Sequence, residues 1–215
     1  MEPFQVDLNK KGVVTGSYGD NVGAGFHSFV RTRNGVFTKF DPGMVDNLPG
    51  IINDAGTITG YFFDVSPKVR SFVRDHKGTV TIFDAPNVCM TSNGTVATGI
   101  NSAGVIVGSF TDAGCTHFHG FLRSPDGAFS AFDIPGADDT DIQAINRHGT
   151  TAGTYTVGKN ILGFVRSRKG AVTTFLPPGA TSLAPTAINA EGEVTGFYPD
   201  ANRLNHGFLV KPRDE

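Results

Sequence analysis

Short stretches in which apolar and polar residues alternate run the length of the chain, each broken after a few positions by Asn, Asp, Gly or Pro. The stretch from Ala97 to Ile134 is the clearest: "ATGI", the turn "NSAG", "VIVGSF", a loop, "HGFLRS", the turn "PDG", then "FSAFDI". Alternation with a period of two places successive side chains on opposite faces of a strand, so this stretch predicts four short strands. The Asn and Gly at the first turn and "DG" at the second suit backbones that need positive φ. No window keeps a helical period.

The same unit recurs. Asn, two residues, Gly, three residues, Gly, one residue and an aromatic ring occur five times without a gap, at Asn9–Gly12–Gly16–Tyr18, Asn53–Gly56–Gly60–Phe62, Asn101–Gly104–Gly108–Phe110, Asn146–Gly149–Gly153–Tyr155 and Asn189–Gly192–Gly196–Tyr198. A Phe follows in each copy (Phe29, Phe72, Phe121, Phe164, Phe208), and in the first four a second Phe lies farther on (Phe40, Phe83, Phe132, Phe175). The second Gly interrupts a strand in all five copies, which points to close packing against a neighbouring backbone or ring.

Five four-stranded units of about 45 residues match the blades of a β-propeller. The expected fold is therefore all-β: one five-bladed propeller domain spanning 1–215, with repeats at about 1–46, 47–94, 95–139, 140–182 and 183–215. The fifth repeat ends just after its third strand, so the last blade is expected to have three strands. The ring is then expected to close by packing of blade one on blade five. "GINSAGVIVGSFTDAG", "HGFLRSPDGAFSAFDIPGA" and "AINAEGEVTGFY" resemble the HAF-type extracellular repeat, a bacterial propeller-like family. That resemblance implies the fold and hints at export, to an extracellular or periplasmic place. It supplies no catalytic residues.

Charge narrows the partners. Eighteen Lys and Arg against 20 Asp and Glu give a net charge of −2, which leaves no basic excess for a nucleic-acid backbone. No apolar run approaches the ~20 residues of a membrane span, and the opening "MEPFQVDLNKKG" lacks the form of a signal peptide. The chain is expected to be soluble, with no nucleic-acid or membrane partner and no cofactor.

With the Asn-bearing strand innermost, the Asn and "DG" turns fall on one face. The loops between second and third strands fall on the other, together with the blade connections. The turns are short and uniform, whereas the loops vary, and variable loops on a rigid scaffold are where binding residues collect. Any site is therefore expected on the loop face and at the mouth of the central channel.

His27, His119 and His206 occupy one repeat position, with Arg70 and Leu162 in the other two copies. They are either blade-packing groups or a ring of imidazoles at the mouth. Asp20, Asp64, Asp112 and Asp200 recur after the second strand, and Asp41, Asp84 and Asp133 after the fourth. Short carboxylates at such places commonly accept backbone hydrogen bonds. Arg31, Arg74, Arg123 and Arg166, in the third strand, are placed to form a repeated ion pair with them.

What does not repeat carries more suspicion. Cys115 and His117 belong to a loop peculiar to the third repeat, and Cys89 to the longest connection. Cys89 and Cys115 are candidates for a disulfide, two ordinary thiols being the alternative. His117 and His119, aimed one way by strand alternation, make with Asp112 a weak metal set, and no metal is expected. Asp138, Asp139 and Asp141 form either a solvated acidic loop or a carboxylate pair suited to acid–base work.

Two classes of function fit. One is a binding module that holds a small molecule, glycan or peptide with Arg70, His117, His119, Asp139, Asp141, His27 and His206. The other is an enzyme, a lyase, cyclase or hydrolase, with one asymmetric site on the same face and no identifiable catalytic residues. The expected assembly is a monomer or a homodimer paired through the exposed edge of the last blade.

Overall fold

A computed structural model of the chain describes residues 3–19, 25–43, 45–64, 68–91 and 93–211. Blade one is β1 (Pro3–Leu8), β2 (Val14–Gly19), β3 (Phe26–Arg31) and β4 (Phe37–Phe40). Blade two is β5 (Val45–Ile52), β6 (Ile58–Phe63), β7 (Val69–Arg74) and β8 (Val80–Phe83). Blade three is β9 (Thr95–Ile100), β10 (Ile106–Thr111), β11 (Phe118–Arg123) and β12 (Phe129–Phe132). Blade four is β13 (Asp139–Ile145), β14 (Thr151–Val157), β15 (Asn160–Arg166) and β16 (Val172–Phe175). Blade five is β17 (Ala184–Ile188), β18 (Val194–Pro199) and β19 (Asn205–Val210). Each blade is an antiparallel meander in chain order. Four have four strands and the fifth has three among the described residues. No helix occurs among the described residues.

Local chemistry explains the repeat unit. At the first turn of blade three, Asn101 Oδ1 accepts the amides of Ala103 and Val105, both at 3.0 Å, and Gly104 takes φ +80°, which an L side chain adopts at a cost. The second glycine of the motif faces a bulge in the inner strand, where the β9–β10 register slips between Val107 and Gly108. A Cβ at Gly108 would lie 2.9 Å from the Phe121 ring and would overlap the Val96 carbonyl, so the expected close packing is present.

The first strands line the axis. β1, β5, β9, β13 and β17 pack in succession, and each blade packs on the next. The sequence leaves unstated what joins them. Asn9 Nδ2 donates to the Asn53 carbonyl at 3.0 Å, Asn53 Nδ2 to that of Asn101 at 3.0 Å, and Asn146 Nδ2 to that of Asn189 at 2.9 Å. One end of the Asn side chain thus closes its own turn while the other fastens the neighbouring blade.

Farther out, the Phe of each fourth strand meets the third-strand Phe of the next blade, with ring centroids 6.0 Å apart for Phe40–Phe72, 6.5 Å for Phe83–Phe121, 5.7 Å for Phe132–Phe164 and 5.6 Å for Phe175–Phe208. The expected ion pairs of Arg74, Arg123 and Arg166 are not made. These guanidinium groups lie over Phe40, Phe83 and Phe132 of the preceding blade, 4.9, 4.6 and 4.8 Å from the ring centroids. Their Nε atoms are shielded from solvent without a hydrogen bond, so the ring faces offset the desolvation.

The succession stops at the ends. The expected packing of blade one on blade five is not among the closer strand contacts of the described residues. Asn189 Nδ2 turns instead to its own blade's Glu193 Oε2 at 2.8 Å. Leu8, Phe197 and Leu209 stay 62%, 43% and 60% exposed.

Candidate functional site

The repeat position shared by His27, Arg70, His119, Leu162 and His206 lies near the loop end of each third strand. Because Gly120 pairs with Phe132, His119 stands opposite Asp133, the residue after the fourth strand. His119 Nδ1 lies 3.0 Å from that carboxylate, and His27 Nδ1 is likewise 3.0 Å from Asp41. Arg70 contacts Asp84 at 3.0 Å, and the buried Lys68 reaches the same carboxylate at 3.0 Å. Blade four has Leu162 and Leu176 instead. Blade five lacks the fourth strand, and His206 Nε2 takes Asp200 at 3.0 Å. Asp41, Asp84, Asp133 and Asp200 therefore pair with this position rather than with the arginines. The four polar residues sit on four different blades, and of them only His119 lines the large cleft described below.

Blade three is built up beyond the others. Cys89 and Cys115 form a disulfide with Cα atoms 5.1 Å apart. The connection carrying Cys89 is held alongside β10 by a bridge between Val88 and Asp112 and by the Cys89 amide donating to the Thr111 carbonyl at 2.9 Å. Asp112 accepts the Thr116 amide at 2.8 Å, and that bond first of all holds its carboxyl below the ordinary value. Asp200 is also lowered, chiefly by the bond from His206. Asp20 falls outside the described residues.

His117 and His119 do not converge. His117 Nδ1 lies 3.6 Å from Asp139 of the next blade, whereas His119 engages Asp133 and lies with its ring centroid 5.3 Å from that of Phe110. Asp139 also accepts the Phe118 amide at 2.9 Å, as Asp46 accepts the Phe26 amide at 3.1 Å between blades one and two. Asp46 and Asp139 each stand seven residues before the motif Asn, a spacing from which this fastening role was legible. Asp138 takes the Gly158 amide at 2.8 Å, so each member of the acidic run's first pair fastens a backbone amide.

Asp141 differs. Its repeat equivalents are Leu48, Val96 and Ala184, all apolar. Its Oδ1 is shielded without a hydrogen-bond partner, as is Gln143 Oε1, and burial raises its carboxyl above the ordinary value. Among the described residues no group of three or more His, Cys, Asp or Glu side chains is placed to hold a metal.

A cleft of about 520 Å³ opens where the blade two to three connection overhangs blade three. Phe110, Phe121 and Phe129 give it an aromatic side, and His119, Asp133 and Asp112 give it polar groups. The sequence marked His119 and both carboxylates but not the rings, which read as ordinary blade core. The central channel behaves differently from expectation. Its cavity, about 190 Å³, is lined by Ile51, Ile100, Gln143, Ile145 and Ile188, most of them immediately before the motif Asn residues. It therefore lies toward the turn face.

No family model matches the chain, and no curated protein does. Similar solved structures exist. A streptogramin B lyase superposes with a TM-score of 0.59 at 15% identity, covering 96% of this chain and 68% of that one. A protein assigned as TolB from Agrobacterium tumefaciens superposes with a TM-score of 0.69 at 11% identity, over 96% and 76%. The β-propeller domain of the trilobed protease from Pyrococcus furiosus, which has an open velcro topology, superposes with a TM-score of 0.53 at 8% identity, over 96% and 78%. At these identities the likeness shows the fold, a β-propeller, and nothing of the chemistry.

Proposed function

We propose that this chain is a five-bladed propeller of the HAF-repeat kind that acts as a binding module, holding a small molecule, glycan or peptide in the cleft between blades two and three. The observation that carries this reading is the cleft itself. An aromatic side faces a polar side in which His119 and Asp133 are held 3.0 Å apart, about 520 Å³ is accessible, and a disulfide fixes the loop above. Ligand pockets commonly combine apolar walls with a few placed polar groups. The His119–Asp133 pair offers both a donor and an acceptor to a hydroxyl or amide, and the rings accept the apolar face of the same ligand. The disulfide favours an oxidising compartment, in keeping with the extracellular or periplasmic placing.

The enzyme reading rests on His117 and Asp139, which lie 3.6 Å apart, beyond hydrogen-bond reach, and would have to draw together on a substrate to exchange a proton. The amide bond to Asp139 gives that carboxylate a fastening role and weighs against it.

The test is a ligand-observed NMR screen of monosaccharides, disaccharides and short peptides. Hits should bind wild type and His206→Ala alike and lose about tenfold or more in affinity with His119→Ala, the fold being checked by circular dichroism. Hits indifferent to His119→Ala move the site elsewhere. Turnover that His117→Ala abolishes replaces binding with the enzyme reading.

A further inference from the structure

The turn face is less uniform than the repeat implies. Between blades three and four it opens into a pocket of about 210 Å³, lined by Asn101 of blade three and by Arg147, His148, Arg166 and Arg168 of blade four. Arg147 and His148 belong to the motif turn "NRHG", and Arg168 to the outer turn "SRKG". The same three places hold Asp54, Ala55 and His76 in blade two, and Ser102, Ala103 and Pro125 in blade three. The cations therefore gather at one interface. The net charge of −2 conceals this, since residues 142–190 contain five Lys and Arg and no Asp or Glu.

The polar groups of this pocket are uncommitted. Asn9, Asn53 and Asn146 each donate Nδ2 to the motif Asn carbonyl of the following blade. Asn101 closes its own turn through Oδ1, but its Nδ2 has no hydrogen-bond partner among the described residues, although Asn101 is only 6% exposed. An amide donor left open at the wall of a pocket calls for an acceptor inside it. The guanidinium groups are free as well. Among the described residues none of Arg147, Arg166 and Arg168 meets a carboxylate, whereas Lys10 on the turn face of blade one is taken by Asp54 at 3.2 Å. Arg147 donates Nε–H to His148 Nε2 at 2.9 Å, which leaves its two Nη groups for a ligand.

Arginine forks match the terminal oxygens of an oxyanion and hold them through charge-assisted hydrogen bonds. Here the donors stand on both blades, with the Asn101 amide on one side and the guanidinium groups on the other. A planar carboxylate presents two oxygens, while a tetrahedral phosphate or sulfate ester presents three and serves both sides at once. Ligand pockets commonly measure about 300 to 1,000 Å³, so this one suits a single charged group rather than a whole molecule. We propose that the pocket between blades three and four binds the phosphate or sulfate group of an anionic small molecule, with Asn101, Arg147 and Arg168 as its donors. The site lies on the face opposite the aromatic cleft and does not depend on it.

The test is an NMR titration of the intact protein with inorganic phosphate, inorganic sulfate and glycerol phosphate, and with acetate for comparison, at an ionic strength held constant with chloride so that screening does not vary. The side-chain signals of Asn101 and Arg147 should shift together and saturate, with a Kd of about 1 mM or below for glycerol phosphate. The paired change Arg147→Gln with Arg168→Gln should weaken binding about tenfold or more. Asn101→Asp keeps the oxygen that closes the turn and exchanges the open donor for a negative charge, so it should fold, as checked by circular dichroism, and lose binding. Lys159→Gln removes a charge from the same acid-free segment but lies in the loop between β14 and β15 on the opposite face, and should bind as wild type does. The proposal is overturned by the absence of a saturable shift with the tetrahedral anions, by acetate binding equally well, or by undiminished binding to the paired arginine variant or to folded Asn101→Asp. A loss in Lys159→Gln as large as that of the arginine pair would also overturn it, by showing general charge attraction in place of a site.

Discussion

Blades three and five have the same motif and the same local folds, yet they end in opposite states. In blade three Phe121 is fully buried, its neighbours Ile106 and Val107 are at most 1% exposed, and a disulfide ties its loop to the incoming connection. In blade five Phe208 is half-buried, and Leu209 and Phe197 face outward. The threonine of the second strand makes the contrast at one position. Thr15 and Thr59 are 0% exposed, whereas Thr195 is exposed, although each donates its hydroxyl to the Phe carbonyl of its third strand at 2.8–3.0 Å. Hydrogen bonding within a blade is a property of the motif, and burial is a property of the neighbour. A blade without a following neighbour keeps its strands and loses its core.

The largest effect should separate the two Phe residues. Phe121→Ala removes a fully buried ring and should cost about 3 to 5 kcal/mol, while Phe208→Ala should cost less than half as much, both from denaturant melts. Equal costs would mean that blade five is covered in solution.

Reduction of Cys89–Cys115, or the paired change Cys89→Ser with Cys115→Ser, opens a bridge across 26 residues and should cost about 3 kcal/mol. Hydrogen exchange should show the loosening in the blade three loop and not in blade five. A melting temperature unchanged by reduction would show that the loop is held without the bridge.

Asn53→Ala removes both the turn closure and the bond to the Asn101 carbonyl, and should cost about 2 kcal/mol. Asn189→Ala, which loses bonds only within its own blade, should cost about half that. A larger cost at Asn189 would point to a partner fastened there.

The smallest effect concerns pH. Burial raises the Asp141 carboxyl above its ordinary value, so the folded chain holds this proton more tightly than the unfolded chain does. The resulting stabilisation is present below the unfolded carboxylate value and is lost as pH rises through it and on through the folded value. Asp141→Asn should therefore gain in melting temperature relative to wild type between pH 4 and pH 7, and a difference that shrinks over that interval would show Asp141 to be charged and paired.

Much of this fold was legible because the repeat is a set of local rules. The Asn and Gly turns, the period-two strands and the glycine beneath the bulge all follow from residues close in sequence, where few geometries are open to the backbone. The doubling of each polar position was half legible. His119 and Asp133 recur as types at fixed spacing, but only strand register shows that they pair, and that the arginines beside them stack on rings of the preceding blade. The cleft was not legible at all, because Phe110 and Phe129 read the same in the sequence whether a neighbour covers them or not. By itself the sequence determined the blades, their number and their turns. The tertiary structure decided which faces are buried and which carboxylate meets which cation, since those depend on what one sheet finds across from it rather than on the order of its own residues.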